Sequence, residues 1–346
     1  MTYVIESNSS KYVLQKLLGE GATCKCYLGQ KISDNKEKSE TFAIKVFNQQ
    51  FFPYYSNEVN VLSKLSTNGN IIKLHEYGQG LISPLSQQEK KDGIKEGKEK
   101  IFYEVMDYAV NGELKDHVQG TSTRIPEKIS AKIFLKIVLI VKYLHDNNIT
   151  HCDIKPENVL LDKYFRPLLN DFGFSQIFEG NNGDFTLHKF AGSNIYCAPE
   201  TRKAYTRGFD AIKNDIFSLG VLLFVITIGD FPFINTSFSD EKYKFIIKKN
   251  YERFWEFFNS IEISDEFKDL INNLIGLNPA QRFNIDQILE HPWIKKYNKE
   301  ININGKNVYE IMDIDQDVIN EFKSRIKLEK LKNFVFSFKG IYFTSG

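Results

Sequence analysis

The chain reads as an α+β protein of two unequal lobes, a small strand-rich one followed by a larger helical one. Three observations predict this. Over residues 12–46, short apolar runs are broken by Gly, Asn, Asp and Ser, the pattern of strands joined by turns. After Gly112 the apolar residues recur at helical spacing, over 129–144, over 215–228 and in stretches through 242–294. No internal repeat and no long Pro/Ser-rich linker separates the halves, so they form one unit joined near 106–111.

In chain order, the strands of 12–46 are followed by a helix around Glu58 and by two more strands near 71–77 and 101–106. Between those strands, residues 83–100 are polar and charged (Glu89, Lys90, Lys91, Lys95, Glu96, Lys98, Glu99, Lys100), which reads as a solvated insertion in a hairpin. Residues 31–40 read as a shorter polar turn. Two apolar runs, 133–141 with Lys136 inside it and 216–228 with Ser218 inside it, fall short of the roughly 20 residues a membrane span needs. Both are read as buried helices of the larger lobe.

Composition narrows the function classes. The 346 residues are 42% apolar and 26% charged, enough to build large cores. Lys+Arg at 45 against Asp+Glu at 44 leaves a formal charge of +1, so no field spread over the whole surface argues for nucleic acid or membrane. The start, Met1-Thr2-Tyr3-Val4-Ile5-Glu6, has no basic segment ahead of an apolar one, and a secretory signal is not expected. The 4 cysteines, at 24, 26, 152 and 197, show neither metal-ligand nor disulfide-framework spacing. A reducing, cytoplasmic location is expected, with nuclear access left open.

The strings that carry chemistry stand in a fixed order. They are Leu18-Gly19-Glu20-Gly21-Ala22-Thr23-Cys24-Lys25-Cys26, Phe42-Ala43-Ile44-Lys45, Asn57-Glu58-Val59, His151-Cys152-Asp153-Ile154-Lys155-Pro156-Glu157-Asn158, Asp171-Phe172-Gly173, Ala198-Pro199-Glu200, Asp215-Ile216-Phe217-Ser218-Leu219-Gly220 and Asn278-Pro279-Ala280-Gln281-Arg282. One three-residue string arises by chance; the ordered set does not. Together they resemble the signature set of the eukaryotic protein kinases, over residues 12–294. The resemblance implies a bilobal protein-kinase fold, with a β-rich N-lobe over about 12–107 and a helical C-lobe over about 112–294. Residues 295–346 would then be a C-terminal extension.

That resemblance assigns roles residue by residue. ATP and Mg²⁺ are the implied cofactors, and protein hydroxyls the implied acceptors. A triphosphate is dense negative charge, and Gly19 and Gly21 would let backbone N–H groups approach it without an intervening side chain. Cys24 departs from the family's third glycine. Cys26, on the strand facing Ala43, replaces a family valine over the adenine; both are small enough to admit a flat base. Lys45 would contact the α and β phosphates, held by Glu58. The linker would offer backbone groups of Asp107 and Ala109 to the adenine edge beside a gatekeeper Met106, and Leu18 and Leu160 complete the nucleotide set. Glu113 stands where a family acid meets the ribose or a basic substrate group, with a solvent-facing helix glutamate as the alternative. Asp153 would receive or orient the substrate hydroxyl, and Lys155 would neutralise the transferring phosphate. Asn158 and Asp171 would hold Mg²⁺ through oxygen, which a hard cation bridging phosphates prefers. Lys155 and Ser193 resemble the serine/threonine type rather than the tyrosine type, and Arg282 would pair with Glu200.

Regulation and specificity are fainter. Glu157 resembles residues that meet basic groups before the acceptor, but Lys244 stands where its acidic neighbour is usual; Phe190 would line an apolar pocket. The arginine that many members carry before the catalytic aspartate, and that pairs with a phosphorylated residue, is Cys152 here, and the matching phosphoacceptor position is Lys189. Activation without phosphorylation of that segment is expected, with Thr186 in a minor role. Residues 243–255 resemble the calcium/calmodulin-dependent kinase group. In the tail, Val318, Ile319, Phe322 and Ile326 share a helical face amid Lys323, Arg325, Lys327, Lys330 and Lys332, which predicts a helix packed on the larger lobe; an autoinhibitory or calmodulin-binding segment is the alternative. Two rivals stand beside the kinase reading. A pseudokinase, binding nucleotide or scaffolding, has Cys24 and Cys152 as support. A small-molecule kinase is opposed by Ala198-Pro199-Glu200 and Arg282.

Overall fold

The computed structural model describes residues 2–7, 9–32, 40–65, 68–84, 98–118, 124–179, 184–189, 192–298 and 314–339, with side chains to residue 327 in the last stretch. Most of the insertions expected at 31–40 and 83–100 lies outside these residues, as do Phe190 and the side chains of Lys330, Lys332 and 334–338. The chain divides into two compact units, Met1–Val110 with Asp171–Ser175, and Asn111–Asn170 with Gln176–Gly346.

The first unit is strand-rich. β1 (Tyr3–Glu6), β2 (Lys11–Glu20), β3 (Cys24–Lys31), β4 (Thr41–Asn48), β5 (Leu74–Pro84) and β6 (Glu99–Asp107) pair antiparallel, with α1 (Phe52–Lys64) between β4 and β5 in the chain. β2, β3, β4, β6 and β5 form one sheet in that order, and β1 pairs with both β2 and β5, linking its edges. Alternation sorts the side chains. Ile44 and Val46 of β4 enter a core with Ile5, Tyr12, Leu14, Ile101, Tyr103 and Val105, while the alternate residues Lys45 and Phe47 meet Glu58 and Tyr55 of α1. The strand expected at 71–77 begins at Leu74 and runs on to Pro84. Its Glu76 accepts hydrogen bonds from Tyr12 of β2 (2.7 Å), Tyr103 of β6 (2.8 Å), Lys31 of β3 (3.1 Å) and Ser10 just ahead of β2 (2.8 Å).

The second unit is mainly helical. It contains α2 (Leu114–Val118), α3 (Glu127–Asp146), β7 (Ile149–Thr150), β8 (Val159–Leu161), β9 (Pro167–Leu169), β10 (Gln176–Ile177), β11 (Thr186–Leu187), α4 (Ala204–Arg207), β12 (Phe209–Asp210) and α5 (Ala211–Ile228). Then follow α6 (Tyr243–Ile247), α7 (Tyr251–Glu256), α8 (Asp265–Leu274), α9 (Ile285–Glu290), α10 (Pro292–Tyr297) and α11 (Gln316–Lys339). α5 is longer than its apolar run suggested, because Asp210 caps its start through Lys213 N and Gly229 ends it in the left-handed region at φ 81°. By length and composition it is one helix capable of crossing a membrane, yet every position except Ile212 and Lys213 is buried within this unit. Its Gly220 permits a close approach to α8, where an added Cβ would lie 2.6 Å from Leu274 Cβ.

α11 packs on α3 and α2. Val318 and Phe322 are buried, and the Phe322 ring stacks on Phe165 at 5.6 Å and meets His117 edge-on at 5.0 Å. Arg325, counted by sequence among the surface cations, is buried instead, donating to His117 O (3.2 Å), Arg124 O (2.6 Å) and Glu321 Oε1 (2.8 Å). Its planar fork meets the carbonyl of His117, near the end of short α2, and that of Arg124, ahead of α3. Lys132 pairs with Asp315 (2.6 Å) and Asp317 (3.1 Å), and Lys128 with Asp317 (2.8 Å).

Candidate active site

Two clusters hold most of the residues singled out by sequence, one in each unit. In the first, Lys45 on β4 is 5% exposed and donates to Glu58 Oε1 on α1 at 2.6 Å and to Asp171 Oδ1 at 3.3 Å. Burial works to lower the Lys45 ammonium, but Asp171 and then Glu58 outweigh it and hold the group protonated well above its ordinary range. Glu58, raised by burial and opposed by Lys45, also accepts from Phe172 N at 3.2 Å. The neighbouring Asn57 amide donates to Phe172 O (3.2 Å), Gly173 O (3.1 Å) and Ser175 O (2.9 Å), so one turn of α1 fixes the segment Asp171–Ser175. Asn57 was only a neighbour of Glu58 in the sequence; nothing in it signalled this role.

The same unit carries Leu18 (exposed), Gly19, Gly21, Cys26, Ala43, Met106, Asp107 and Ala109. Gly21 N donates to Cys24 O at 2.9 Å to close the β2–β3 turn. Neither glycine has a positive φ; an added Cβ would meet nothing within 4 Å at Gly19 and only Cys24 O, at 3.7 Å, at Gly21. The strand pair does not need these glycines for its own packing. Ala43 is the register partner of Met106 across β4 and β6, both buried, and Cys26 that of Lys45 across β3 and β4. Asp107 hydrogen-bonds His75 through its carboxylate at 2.5 Å and donates its N–H to Lys73 O at 3.1 Å.

In the second unit, Asp153 is buried and its carboxylate accepts three hydrogen bonds: from Lys155 Nζ (2.7 Å) and Asn158 Nδ2 (3.0 Å) at Oδ2, and from Ser193 N (2.8 Å) at Oδ1. Lys155 Nζ also donates to Ser193 Oγ at 2.8 Å, and Asn158 Nδ2 to Asp153 O at 2.8 Å. Asp215 of α5 supports this loop from beneath. Fully buried, it accepts from His151 N (2.9 Å), Cys152 N (2.9 Å) and His145 Nε2 (3.0 Å). Those bonds stabilise Cys152 at φ 64°, an unusual backbone position for a non-glycine residue. The Cys152 side chain is buried beside Thr150 Oγ1 at 3.3 Å, and burial, with Asp215 adding to it, pushes its thiol up. Glu113 and Leu160 form an isolated antiparallel bridge, and burial, then Asp116, raises the Glu113 carboxyl.

Other expectations meet definite geometry. Arg282 pairs with Glu200 at 2.6 and 2.8 Å. Glu157, read as a contact for basic substrate groups, pairs with Lys115 at 3.2 Å. Lys189 and Thr186 are exposed.

Comparison with known proteins accords with these clusters. The model of the protein kinase domain matches residues 12–294. CBL-interacting serine/threonine-protein kinase 12 of Arabidopsis thaliana is 32% identical over 297 residues, covering 84% of this chain and 54% of its own length. CBL-interacting protein kinase 2 of Oryza sativa subsp. japonica is 32% identical over 292 residues, covering 83% and 58%. CBL-interacting serine/threonine-protein kinase 7 of Arabidopsis thaliana is 29% identical over 343 residues, covering 97% and 69%. The chain spans about half the length of the first two of these relatives.

Proposed function

Because the chain belongs to the protein kinase domain family, we propose that it is an ATP-dependent serine/threonine protein kinase, moving the γ-phosphoryl group of ATP to hydroxyls of protein substrates. The observation that carries this reading is the Asp153 cluster. A carboxylate fixed by Lys155, Asn158 and Ser193 N is oriented to accept a hydroxyl proton, and Lys155 supplies a cation beside it. Phosphoryl transfer asks for positioning and charge neutralisation rather than covalent chemistry.

The residues present fit the cofactors. Gly19 and Gly21 leave the β2–β3 turn open to a phosphate, Lys45 offers a buried, fully charged ammonium, and Asn158 and Asp171 are oxygen donors of the kind Mg²⁺ prefers. When bound, ATP supplies the transferred group and Mg²⁺ offsets its charge. Leu18, Cys26, Ala43, Asp107, Ala109, Glu113 and Leu160 complete the proposed nucleotide contacts. The proposed catalytic domain spans 12–294, with 295–346 as an extension and a cytoplasmic location.

For the subgroup, residues 243–255 support a calcium/calmodulin-dependent kinase, while the relatives' names speak of interaction with CBL. The relatives' names favour a CBL-type partner, and burial of Val318 and Phe322 against this chain counts against their entering a calmodulin groove. Retention of the full chain on Ca²⁺-loaded calmodulin would reverse that preference.

The deciding experiment is Asp153→Asn in the full chain. Transfer to a randomised peptide array should fall about 10²–10⁴-fold, with Mg-nucleotide affinity unchanged. Absence of any Mg-dependent transfer by the unaltered protein would establish the pseudokinase reading instead.

A further inference from the structure

Lys45 has three carboxylates acting on it, and only two are bonded to it. Glu58 stands at 2.6 Å and Asp171 at 3.3 Å; the third is Glu104. Glu104 is the direct cross-strand partner of Lys45 between β6 and β4, so both side chains leave the sheet on one face with Cβ atoms roughly 5 Å apart. It is 0% exposed, and neither carboxyl oxygen has a hydrogen-bond partner among the described residues. Full burial without a hydrogen-bond partner favours its neutral form, and burial, then Glu58, hold its carboxyl well above the usual range. Around it, Tyr77 stands opposite on β5 and Tyr55 lies close on α1, and Lys45 is the cation that acts on it.

Such a group is an odd choice for packing. A buried carboxyl without partners destabilises a fold relative to an apolar side chain of similar volume. Placed beside a lysine that chemistry must keep charged and ordered, it has a use. We propose that Glu104 is a positioning residue, a second seat for the Lys45 ammonium that is taken up when Glu58 gives the ammonium up. The exchange balances: the proton of Glu104 passes to Glu58, and the ammonium moves from the one carboxylate to the other. The charge of the cluster does not change, and no buried charge is left uncompensated. The kinetic consequence rests on the reading of Lys45 as the phosphate-binding lysine; the exchange of partners does not.

A double-mutant cycle in the full chain tests it, using Glu58→Gln, Glu104→Met and both together. Glu104→Met alone should leave the thermal midpoint at or slightly above the parent's, and Glu58→Gln should lower it by about 3 °C, since Glu104 takes over. The double variant should fall by about 8 °C or more, well beyond the sum, because no buried carboxylate then faces Lys45 except through the half-exposed Asp171. The KM for Mg-ATP should follow the same order, rising about 3-fold in Glu58→Gln and about 30-fold in the double variant, while kcat changes less. Glu58→Gln with Glu104→Asp should behave as Glu58→Gln alone, a rescue that simple space-filling does not give. Additive midpoints would overturn the proposal. Should the double variant not fold, the isosteric Glu104→Gln in the Glu58→Gln background carries the same comparison. A parent without phosphoryl transfer would sink the kinase reading, and the thermal cycle would still decide the exchange.

Discussion

Two buried ion pairs, Lys45–Glu58 in the first unit and Arg282–Glu200 in the second, look alike as sequence motifs and are built in opposite ways. Arg282 is saturated. Its guanidinium meets both Glu200 oxygens and the carbonyls of Gly276 (2.8 Å), Lys213 (3.0 Å) and Leu277 (3.3 Å), and it lies 4.9 Å over the Phe217 ring. Lys45 is surrounded by more carboxylate than it can neutralise, with one partner at 2.6 Å, one at 3.3 Å and Glu104 in waiting. A fully satisfied cation holds a fold; a cation with spare partners can be drawn to a phosphate without leaving its neighbours stranded.

Charge-conserving exchanges should separate the two. Lys45→Arg should cost the largest functional effect, about 10²-fold or more in kcat/KM, with the thermal midpoint little changed, because a planar fork replaces a point charge at a site made for the latter. A variant that kept its turnover would remove the contrast. Arg282→Lys should do the reverse. Two of the five N–H donors disappear and buried acceptors are left unpaired, a loss of about 3 kcal/mol that lowers the midpoint by roughly 5–10 °C, while activity per folded molecule survives.

The exposed pairs that dock α11 give a smaller, pH-dependent test. Burial works against it, but hydrogen bonds from Lys128 and Lys132 hold the Asp317 carboxyl below its ordinary range. A depressed carboxylate stabilises above its unfolded pKa, near ~3.9 for aspartate, and that contribution is lost as pH falls through the folded value. Asp317→Asn should therefore melt about 1–3 °C below the parent at pH 7, as suits a surface pair worth under ~1 kcal/mol, and the gap should narrow progressively as pH falls below ~4. The smallest effect is expected at Thr186. Phosphatase-treated protein and Thr186→Ala should both keep most of their activity, since residue 152 is a buried thiol that cannot receive a phosphate; a tenfold loss in either would restore the segment as a switch.

What the sequence made legible were groups whose spacing along the chain mirrors their chemistry. Asp153, Lys155 and Asn158 lie within six residues, and Lys45 follows an alternating strand whose register is set by Ile44 and Val46. Groups whose meaning comes from a distant neighbour were hidden. Glu104 reads as one polar residue in an apolar strand until the pairing of β4 and β6 sets it opposite Lys45. Arg325 reads as one cation among several until its helix is docked, and Asn57 as the residue before the important one. The helical periodicity of 318–326 identified two of the packed residues, Val318 and Phe322, but not the buried Arg325, while Ile319 and Ile326 are only half-buried, because apolar spacing reports burial of hydrophobes and not of a satisfied cation.

The first four-residue strand has a practical consequence. By pairing with β2 and β5 at once, Tyr3–Glu6 covers the backbone edges of two strands that would otherwise present open rows of N–H and C=O groups. A fragment trimmed to the family's limits, 12–294, would lose that cover and invite strand addition between molecules. Purified fragments of that kind should self-associate where the full chain does not, and affinity tags at the amino end belong ahead of Tyr3, on a spacer that lets the short strand seat.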